Sequence, residues 1–300
     1  MSWCLPFELC DGDLLCVVGP TASQKTELAI RVCEQVGGEV IGADSVQVYA
    51  GFDIGSGKPT EAEQLRVRHH LVGVVDPMDS MDAARYVELA DAAIGDVRSR
   101  GKVAVVCGGT YLWVRSLVMG LADAPPASVE VRARLDLERA EFGEYEMHSR
   151  LRGVDPDIAG RLNPMDWVRV QRALEVFEVS GRRLSDLHRE HQERIASGGR
   201  YRARLVGVRW DSSALEQRIR LRASGWLSGG WIDEVRGLVG LGYRNSRPMM
   251  SVGYRQIAEY LEGLADYETL LDRITRATKV FARRQRTWLR EESVVWVDPL

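Results

Sequence analysis

The sequence predicts an α/β fold, a parallel sheet core that carries a phosphate-binding loop and is interrupted by a mainly helical insertion. Three observations predict it. Residues 14 to 18, L-L-C-V-V, form a short apolar run that leads straight into G-P-T-A-S-Q-K-T. Two more such runs, at residues 39 to 43 and 102 to 107, each end in a polar or glycine turn. Between residues 126 and 199 the alternating pattern of strands gives way to charged segments with helical spacing.

Taken in order, residues 14 to 18 read as a buried parallel strand, because both faces of such a strand are covered and its sequence is continuously apolar. Residues 19 to 26 form the loop. A helix follows over 27 to 36, with Leu28, Ala29, Val32 and Val36 on one side. The second strand, 39 to 43, ends at Asp44, and the third, 102 to 107, ends at Gly108-Gly109-Thr110 before a helix-like stretch to residue 121. Pro125-Pro126 and Gly198-Gly199 punctuate the helical insertion, whose segments are 129 to 142, 144 to 152, 166 to 180 and 185 to 196. Strand character resumes at 204 to 210. Helices are expected at 212 to 225, 231 to 241, 253 to 263 and 267 to 290, with a last strand at 293 to 297. The expected domains are a discontinuous core, 1 to 125 with 200 to 300, and an insertion at 126 to 199.

The loop carries the chemistry. Where a strand turns into a helix through a loop of this kind, unpaired backbone N–H groups and the helix dipole make an anion site. Lys25 is expected to reach phosphates and the Thr26 hydroxyl to hold magnesium. Lysine occurs only at 25, 58, 102 and 279, whereas 36 of the 40 basic residues are arginine. A compact ammonium at 25 is therefore a choice rather than a habit of this chain. The pattern G-x-x-x-x-G-K-[ST] asks for glycine at 24, where this chain has Gln24. If position 24 needs positive φ, a side chain there costs about 1–3 kcal/mol.

Ligands of open α/β sheets bind outside the carboxyl ends of the strands. Three strand ends thus offer Thr26, Asp44 and Thr110 to one crevice, with Asp44 as a candidate general base. Asp44 also suits a turn or helix N-cap, and Thr110 a helix cap.

Composition sets the bounds. The chain has 300 residues, 45% hydrophobic and 28% charged, with a net charge of −3. That is enough for an ample core in one or two domains. No apolar run approaches the roughly 18 residues of a membrane span, and no basic segment leads into an apolar one at the start, so a cytoplasmic protein is expected. Cysteines at 4, 10, 16, 33 and 107 make an odd set without C-x-x-C. Buried free thiols are expected, not a disulfide framework or a zinc site.

With a slightly acidic whole, nucleic-acid binding would need a local basic surface. Arginines 161, 169, 172, 182, 183, 189, 194, 200, 202 and 204 gather in or beside the insertion, with His188 and His191. They either solvate helix faces or track an RNA backbone, with Trp167 as a candidate stacking platform. A second basic run, residues 282 to 290, reads A-R-R-Q-R-T-W-L-R on the last helix. RNA, a pyrophosphate or neighbouring acidic residues could each be its partner.

Motifs along nearly the whole chain resemble those of the tRNA dimethylallyltransferase (IPP transferase) family. They are G-P-T-A-S-Q-K-T at 19 to 26, A-D-S-V-Q-V-Y at 43 to 49, D-I-G-S-G-K-P-T at 53 to 60, H-H-L-V at 69 to 72, G-G-T at 108 to 110, R-A-L-E-V at 172 to 176, V-G-Y-R-Q at 252 to 256 and Q-R-T-W-L-R at 285 to 290. The resemblance implies a P-loop NTPase-like core whose helical insertion grips the tRNA anticodon stem-loop. It implies dimethylallyl diphosphate as donor, magnesium as cofactor on Thr26, and a monomer. Asp44 would be the general base, Thr110 would hydrogen-bond near the target adenine, and Arg222, rather than Arg218, would hold the diphosphate. Gly19, Pro20, Thr21, Ala22, Ser23, Gln24, Lys25 and Thr26 would form the diphosphate loop. Contacts to tRNA would come from Asp44, Ser45, Val46, Gln47 and Thr110; from Arg132, Val168, Arg169, Val170, Gln171 and Arg172; and from Gly253, Tyr254 and Arg255. Two departures stand out besides Gln24. Tyr111 follows G-G-T, where its bulk either narrows the pocket or is accommodated at the helix start, and Asn163 precedes Pro164 where relatives commonly carry histidine. A P-loop kinase, a prenyltransferase for free adenine nucleotides and a non-catalytic tRNA binder remain open alternatives.

Overall fold

The computed structural model describes residue 5, residues 7–10 and residues 12–299. Cys4 lies outside the described residues. Two compact units emerge: residues 1–118 with 201–300, and residues 119–200.

In chain order the elements are β1 (Leu14–Val18), α1 (Lys25–Val36), β2 (Gly38–Gly42), α2 (Glu61–Arg66), β3 (His69–His70), α3 (Ala83–Ser99), β4 (Val103–Gly108) and α4 (Tyr111–Met119). The insertion holds α5 (Val129–Phe142), α6 (Glu144–Val154), α7 (Pro156–Ala159), α8 (Trp167–Ser180) and α9 (Leu184–Ala196). The chain then continues through β5 (Ala203–Val208), α10 (Ser212–Ser228), α11 (Trp231–Gly240), α12 (Tyr254–Leu261), α13 (Tyr267–Leu289) and β6 (Val294–Val297).

The first unit is built on a six-stranded sheet in the order β3-β2-β4-β1-β5-β6. Every pairing in it is parallel. β1 has all five residues buried and lies between β4 and β5. The path through the sheet reverses at β1, and such switch points open a crevice at the carboxyl ends of the strands. Leu15, Val17, Val105 and Val206 turn one face of the sheet toward Leu28, Ala29, Val32 and Cys33 of α1. This burial fixes the axis of α1, and with it the direction in which the phosphate loop opens.

The sequence did not foretell α2, β3, α3 or α7. α3 is a 17-residue helix, capped where the Asp82 side chain accepts the Arg85 amide, and it buries Tyr86, Ala90, Ile94 and Val97. β3 is only two residues long and pairs with Val40 and Ile41 of β2.

The second unit packs Leu135, Met147, Leu151, Val170, Leu174 and Leu187 around one core. Trp167 belongs to that core, and its Nε1 donates to Asp136 at 2.7 Å. Its expected role as an exposed stacking platform is thereby corrected. Glu175 is fully buried and accepts from Arg132 at 2.8 Å, Arg172 at 2.6 Å and the Ser128 amide at 2.8 Å. Burial alone would raise its pKa, but these three donors outweigh burial and hold it below the ordinary value.

Of the cysteines, Cys16 and Cys33 are buried and Cys107 half-buried, but Cys10 is exposed, against expectation. Burial pushes Cys16 and Cys107 up to about 12, so both are thiols at neutral pH.

Candidate active site

The loop after β1 takes its shape from two residues in the left-handed region, Ala22 (φ 66) and Gln24 (φ 67, ψ 21). Alternating handedness turns successive amides toward one side and makes an anion nest. Gln24 thus adopts the conformation glycine favours, and its Oε1 is buried without a partner. Among the described residues, the amides of Ala22, Gln24, Lys25 and Thr26 have no protein acceptor. The Thr21 amide is different: it donates to Oε1 of Gln285 at 2.8 Å.

Packing holds the nest from behind. Ala22 sits against Leu215, Ile219 and Ala282 of α10 and α13. The Ala22 carbonyl accepts from Nε of Arg218 at 3.0 Å, and the Ser23 carbonyl from Nε1 of Trp210 at 3.1 Å. Arg218 lies over the Trp210 ring at 4.4 Å. Arg222, one turn further along α10, donates to the Thr21 hydroxyl and lines the cavity beside the loop. The two arginines are therefore divided, one bracing the loop and one facing its ligand side.

Asp44 and Thr110 come together because β2 and β4 end side by side. The Ala43 amide donates to the Cys107 carbonyl at 2.8 Å, and the Thr110 amide to the Ala43 carbonyl at 3.1 Å. A Cβ on Gly108 would lie 2.0 Å from the Ala43 oxygen, so only glycine lets the strands approach this closely. Thr110 Oγ1 accepts the Ser45 amide at 2.9 Å, which fixes the turn that carries Asp44 and is not a cap of α4. Asp44 Oδ1 accepts from Val46 at 3.0 Å and from Gln47 at 3.3 Å, an Asx-type turn. Oδ2 has no partner among the described residues. The turn and the functional readings of this aspartate are thus compatible, since one oxygen serves each.

A cavity of about 240 Å³ opens here. Thr21, Asp44, Ser45, Ser56, Arg222, Ser251 and Thr278 are its polar lining, and its apolar lining includes Ile219, Ala223, Trp226, Trp231, Ile274 and Phe281. Desolvation lowers the pKa of Lys25 against the opposing pull of the Asp44 charge. Desolvation likewise brings Arg222 down to about 10, which leaves it charged at neutral pH.

Several expected site residues lie elsewhere. Val170 and Tyr254 are fully buried, so packing takes up their side chains and the expectation that they face RNA is corrected. Arg132 and Arg172 are tied to Glu175, and Arg169 pairs with Asp166. Gln171 donates to the Arg132 carbonyl at 3.1 Å. In the arginine-rich stretch, Arg182 pairs with Glu190, Arg189 with Asp186 and Arg202 with Asp13, so part of that charge is neutralised locally. Val168 remains exposed, and so does Arg255. Tyr111 is half-buried at the start of α4, edge-on to Trp288 at 6.3 Å, and does not line the cavity.

Other residues gain importance only in the folded chain. Gln285, buried on α13, accepts from Thr21 and donates through Nε2 to the Gly109 carbonyl at 2.8 Å, linking two strand ends. Glu234 accepts the amides of Asp53 (3.1 Å) and Ile54 (2.7 Å) and the Tyr254 hydroxyl (2.7 Å). That hydroxyl in turn accepts the Ser56 amide at 3.2 Å. Gln47 Nε2 donates to the carbonyls of Ser56 (3.1 Å) and Gly57 (2.9 Å). Together they clamp the D-I-G-S-G-K segment against the Asp44 turn.

A parallel sheet with an anion nest at its switch point, a carboxylate at the end of β2 beyond the intervening β4 and a cavity with apolar side chains beside both defines a P-loop protein. The chain belongs to the IPP transferase family, whose model matches residues 47–292. It is 56% identical over 286 residues to a tRNA dimethylallyltransferase of Sorangium cellulosum, covering 95% of this chain and 90% of that one. With a tRNA dimethylallyltransferase of Anaeromyxobacter dehalogenans it shares 42% identity over 287 residues, 95% of each chain. Among solved structures, the tRNA isopentenylpyrophosphate transferase of Bacillus halodurans superposes with a TM-score of 0.70 at 31% identity, covering 96% of this chain and 90% of that one. A eukaryotic dimethylallyltransferase acting on tRNA shares the fold, with a TM-score of 0.78 at 23% identity over 96% of this chain and 74% of the other.

Proposed function

We propose that this protein transfers a dimethylallyl group from dimethylallyl diphosphate to N6 of the adenosine 3′ of the tRNA anticodon, giving N6-isopentenyladenosine and diphosphate. The observation that carries this reading is the set of apolar side chains lining the cavity beside the phosphate loop, together with Asp44. A kinase would need polar groups for a nucleoside there; indole, phenyl and aliphatic side chains suit a prenyl tail.

The adenine amine is a weak nucleophile because its lone pair is conjugated with the ring. As N6 bonds to C1 of the donor, the C1–O bond breaks with its electron pair going to the diphosphate, and Asp44 accepts the N6 proton through its free Oδ2. Such a base works from about 2.6–3.2 Å. Thr110 uses its acceptor on Ser45, which leaves its hydroxyl proton to donate toward the adenine. The nest amides, Lys25 and Arg222 stabilise the charge that gathers on the leaving diphosphate, a preorganised arrangement of the oxyanion kind. The adenine must leave its stack to bring N6 to Asp44 and the donor.

Among the described residues no group of three or more His, Cys, Asp or Glu gathers as metal ligands. The Thr26 hydroxyl, a hard oxygen donor on the phosphate loop, would hold magnesium together with the diphosphate's own oxygens. Magnesium bound there supplies positive charge to the leaving group.

The helical insertion, 126 to 199 by sequence, is the proposed grip on the anticodon stem-loop. Exposed Val168 and Arg169 at the start of α8, and exposed Arg255 in the first unit, are the proposed contacts. The protein is proposed to act as a monomer. No described helix is long and apolar enough to cross a membrane, and a cytoplasmic site of action, where tRNA is, completes the proposal. Incubation with unmodified tRNA and dimethylallyl diphosphate, followed by nucleoside mass analysis, is expected to show adenosine gaining one isopentenyl group. Adenosine of unchanged mass would refute the reading.

A further inference from the structure

The far end of the cavity is unusually well defined. Arg222 Nη2 reaches Thr21 of the phosphate loop, and the Arg222 guanidinium lies over the Trp226 ring at 4.5 Å. Trp226 meets Trp231 edge-to-face at 5.5 Å and 82°. From the loop, contacts thus link Thr21, Arg222, Trp226 and Trp231 in series. A prenyl tail is bonded directly to the diphosphate, so a donor whose phosphates sit in the nest extends its carbons into the cavity that Arg222, Trp226 and Trp231 line.

The series ends in a wall that cannot retreat. Trp231 is 1% exposed, and a Cβ on either Gly55 or Gly253 would lie 2.0 Å from its indole. Both glycines are therefore in direct contact with the ring, and Gly253 also has φ 93. A Cβ on Gly57 would lie 3.1 Å from Cζ2 of Trp226, so the same loop backs the second indole. Tyr254 closes the remaining edge of Trp231 at 5.6 Å. Close-packed surroundings of this kind resist displacement. The cavity itself, about 240 Å³, is below the roughly 300–1,000 Å³ of sites for larger ligands.

We propose that Trp226 and Trp231 form the end wall of the donor cavity and restrict the transferred group to five carbons. This rests on the prenyltransferase reading above and names the residues that set its donor specificity. A ten-carbon donor, geranyl diphosphate, would undergo the same bond changes: C1–O breaks with its pair on the diphosphate, C1–N6 forms, and the N6 proton passes to Asp44. It is excluded only by length.

The test compares dimethylallyl and geranyl diphosphate as donors to unmodified tRNA, with product nucleosides read by mass. Trp226 is half-buried whereas Trp231 is 1% exposed, so Trp226 is the wall residue to shorten. The wild type is expected to transfer the five-carbon group with strong preference. One methylene in an apolar pocket is worth about 10–200-fold in selectivity, so Trp226→Ala is expected to raise the ratio of ten- to five-carbon product by at least that tenfold. Trp226→Leu, which keeps apolar bulk and guards against a folding defect, is expected to shift the ratio the same way by less. An unchanged ratio in both variants, or a wild type that uses both donors equally, overturns the wall. A wild type that transfers neither group overturns the proposed function, and the wall with it.

Discussion

The Gln285 side chain accepts the amide proton of Thr21 at 2.8 Å across 264 positions of sequence. Its amide nitrogen meanwhile donates to Gly109. A single buried glutamine on the last helix therefore sets the distance between the phosphate loop and the strand end that carries Thr110. This closes the site from a part of the chain that contributes no charge to it.

Replacing Gln285 with leucine would leave a buried donor and a buried acceptor unpaired. Each such group costs about 1–3 kcal/mol. Thermal unfolding is expected to move to lower temperature, and donor titration to show weaker diphosphate binding as the loop loses its brace. Gln285→Glu keeps the acceptor for Thr21 but not the donor for Gly109 and should fall between. Equal stability in all three proteins would remove the glutamine from the account.

Gln24 stands in the left-handed region where glycine is at ease. Gln24→Gly relieves strain worth about 1–3 kcal/mol in such positions, less the added freedom of glycine in the unfolded chain, about 0.5–1 kcal/mol. The expected outcome is unchanged or slightly higher stability, with donor affinity at least that of the wild type. A marked loss of donor binding would mean that the glutamine side chain itself takes part in recognition.

Acid stability has a specific source. Glu39, buried at the start of β2, accepts from Arg100 (2.5 and 2.7 Å), Lys102 (2.8 Å) and His70 (2.7 Å). The Arg100 bonds above all, aided by Lys102 and His70 against the opposing effect of burial, hold its carboxyl well below the ordinary 4.5. The folded state then binds fewer protons than the unfolded chain in that range. Its stabilisation is complete above about pH 4.5 and is lost as pH falls through the folded value. Melting curves from pH 7 to 3 are expected to show Glu39→Gln destabilised at neutral pH by about 1–3 kcal/mol, with the gap to wild type narrowing in acid. A gap that stays constant with pH would contradict this.

Much of the core was legible because β1 and β4 are continuous apolar runs, because β2 and β5 are apolar but for Glu39 and Arg204, and because the helices after residue 211 carry regular apolar spacing. α3 escaped notice because its buried face is only four single, well-spaced residues, Tyr86, Ala90, Ile94 and Val97, with Gly95 inside the helix. β3 has no apolar run at all; His69 and His70 are a strand only because β2 offers them an edge. Within the site, the phosphate loop, Asp44 and Thr110 could be read because each ends a strand. Gln285 could not, since it stands among arginines on a helix whose polar face seemed uniform. Nor could the indole wall, which exists only where Gly55 and Gly253 close on Trp231 from distant parts of the sequence. Val170 and Tyr254 misled in the opposite way, lying within motifs that resemble tRNA-contacting segments while their own side chains are core.

The central claim is that Asp44 takes a proton from an adenine amine at the edge of the prenyl cavity. Its most direct test is single-turnover transfer to unmodified tRNA by Asp44→Ala, with donor binding measured on the same preparation. General-base catalysis contributes about 10²–10⁴-fold, so the rate is expected to fall by at least a hundredfold while dimethylallyl diphosphate still binds with near wild-type affinity. Transfer at an undiminished rate, with the donor bound, would contradict the account.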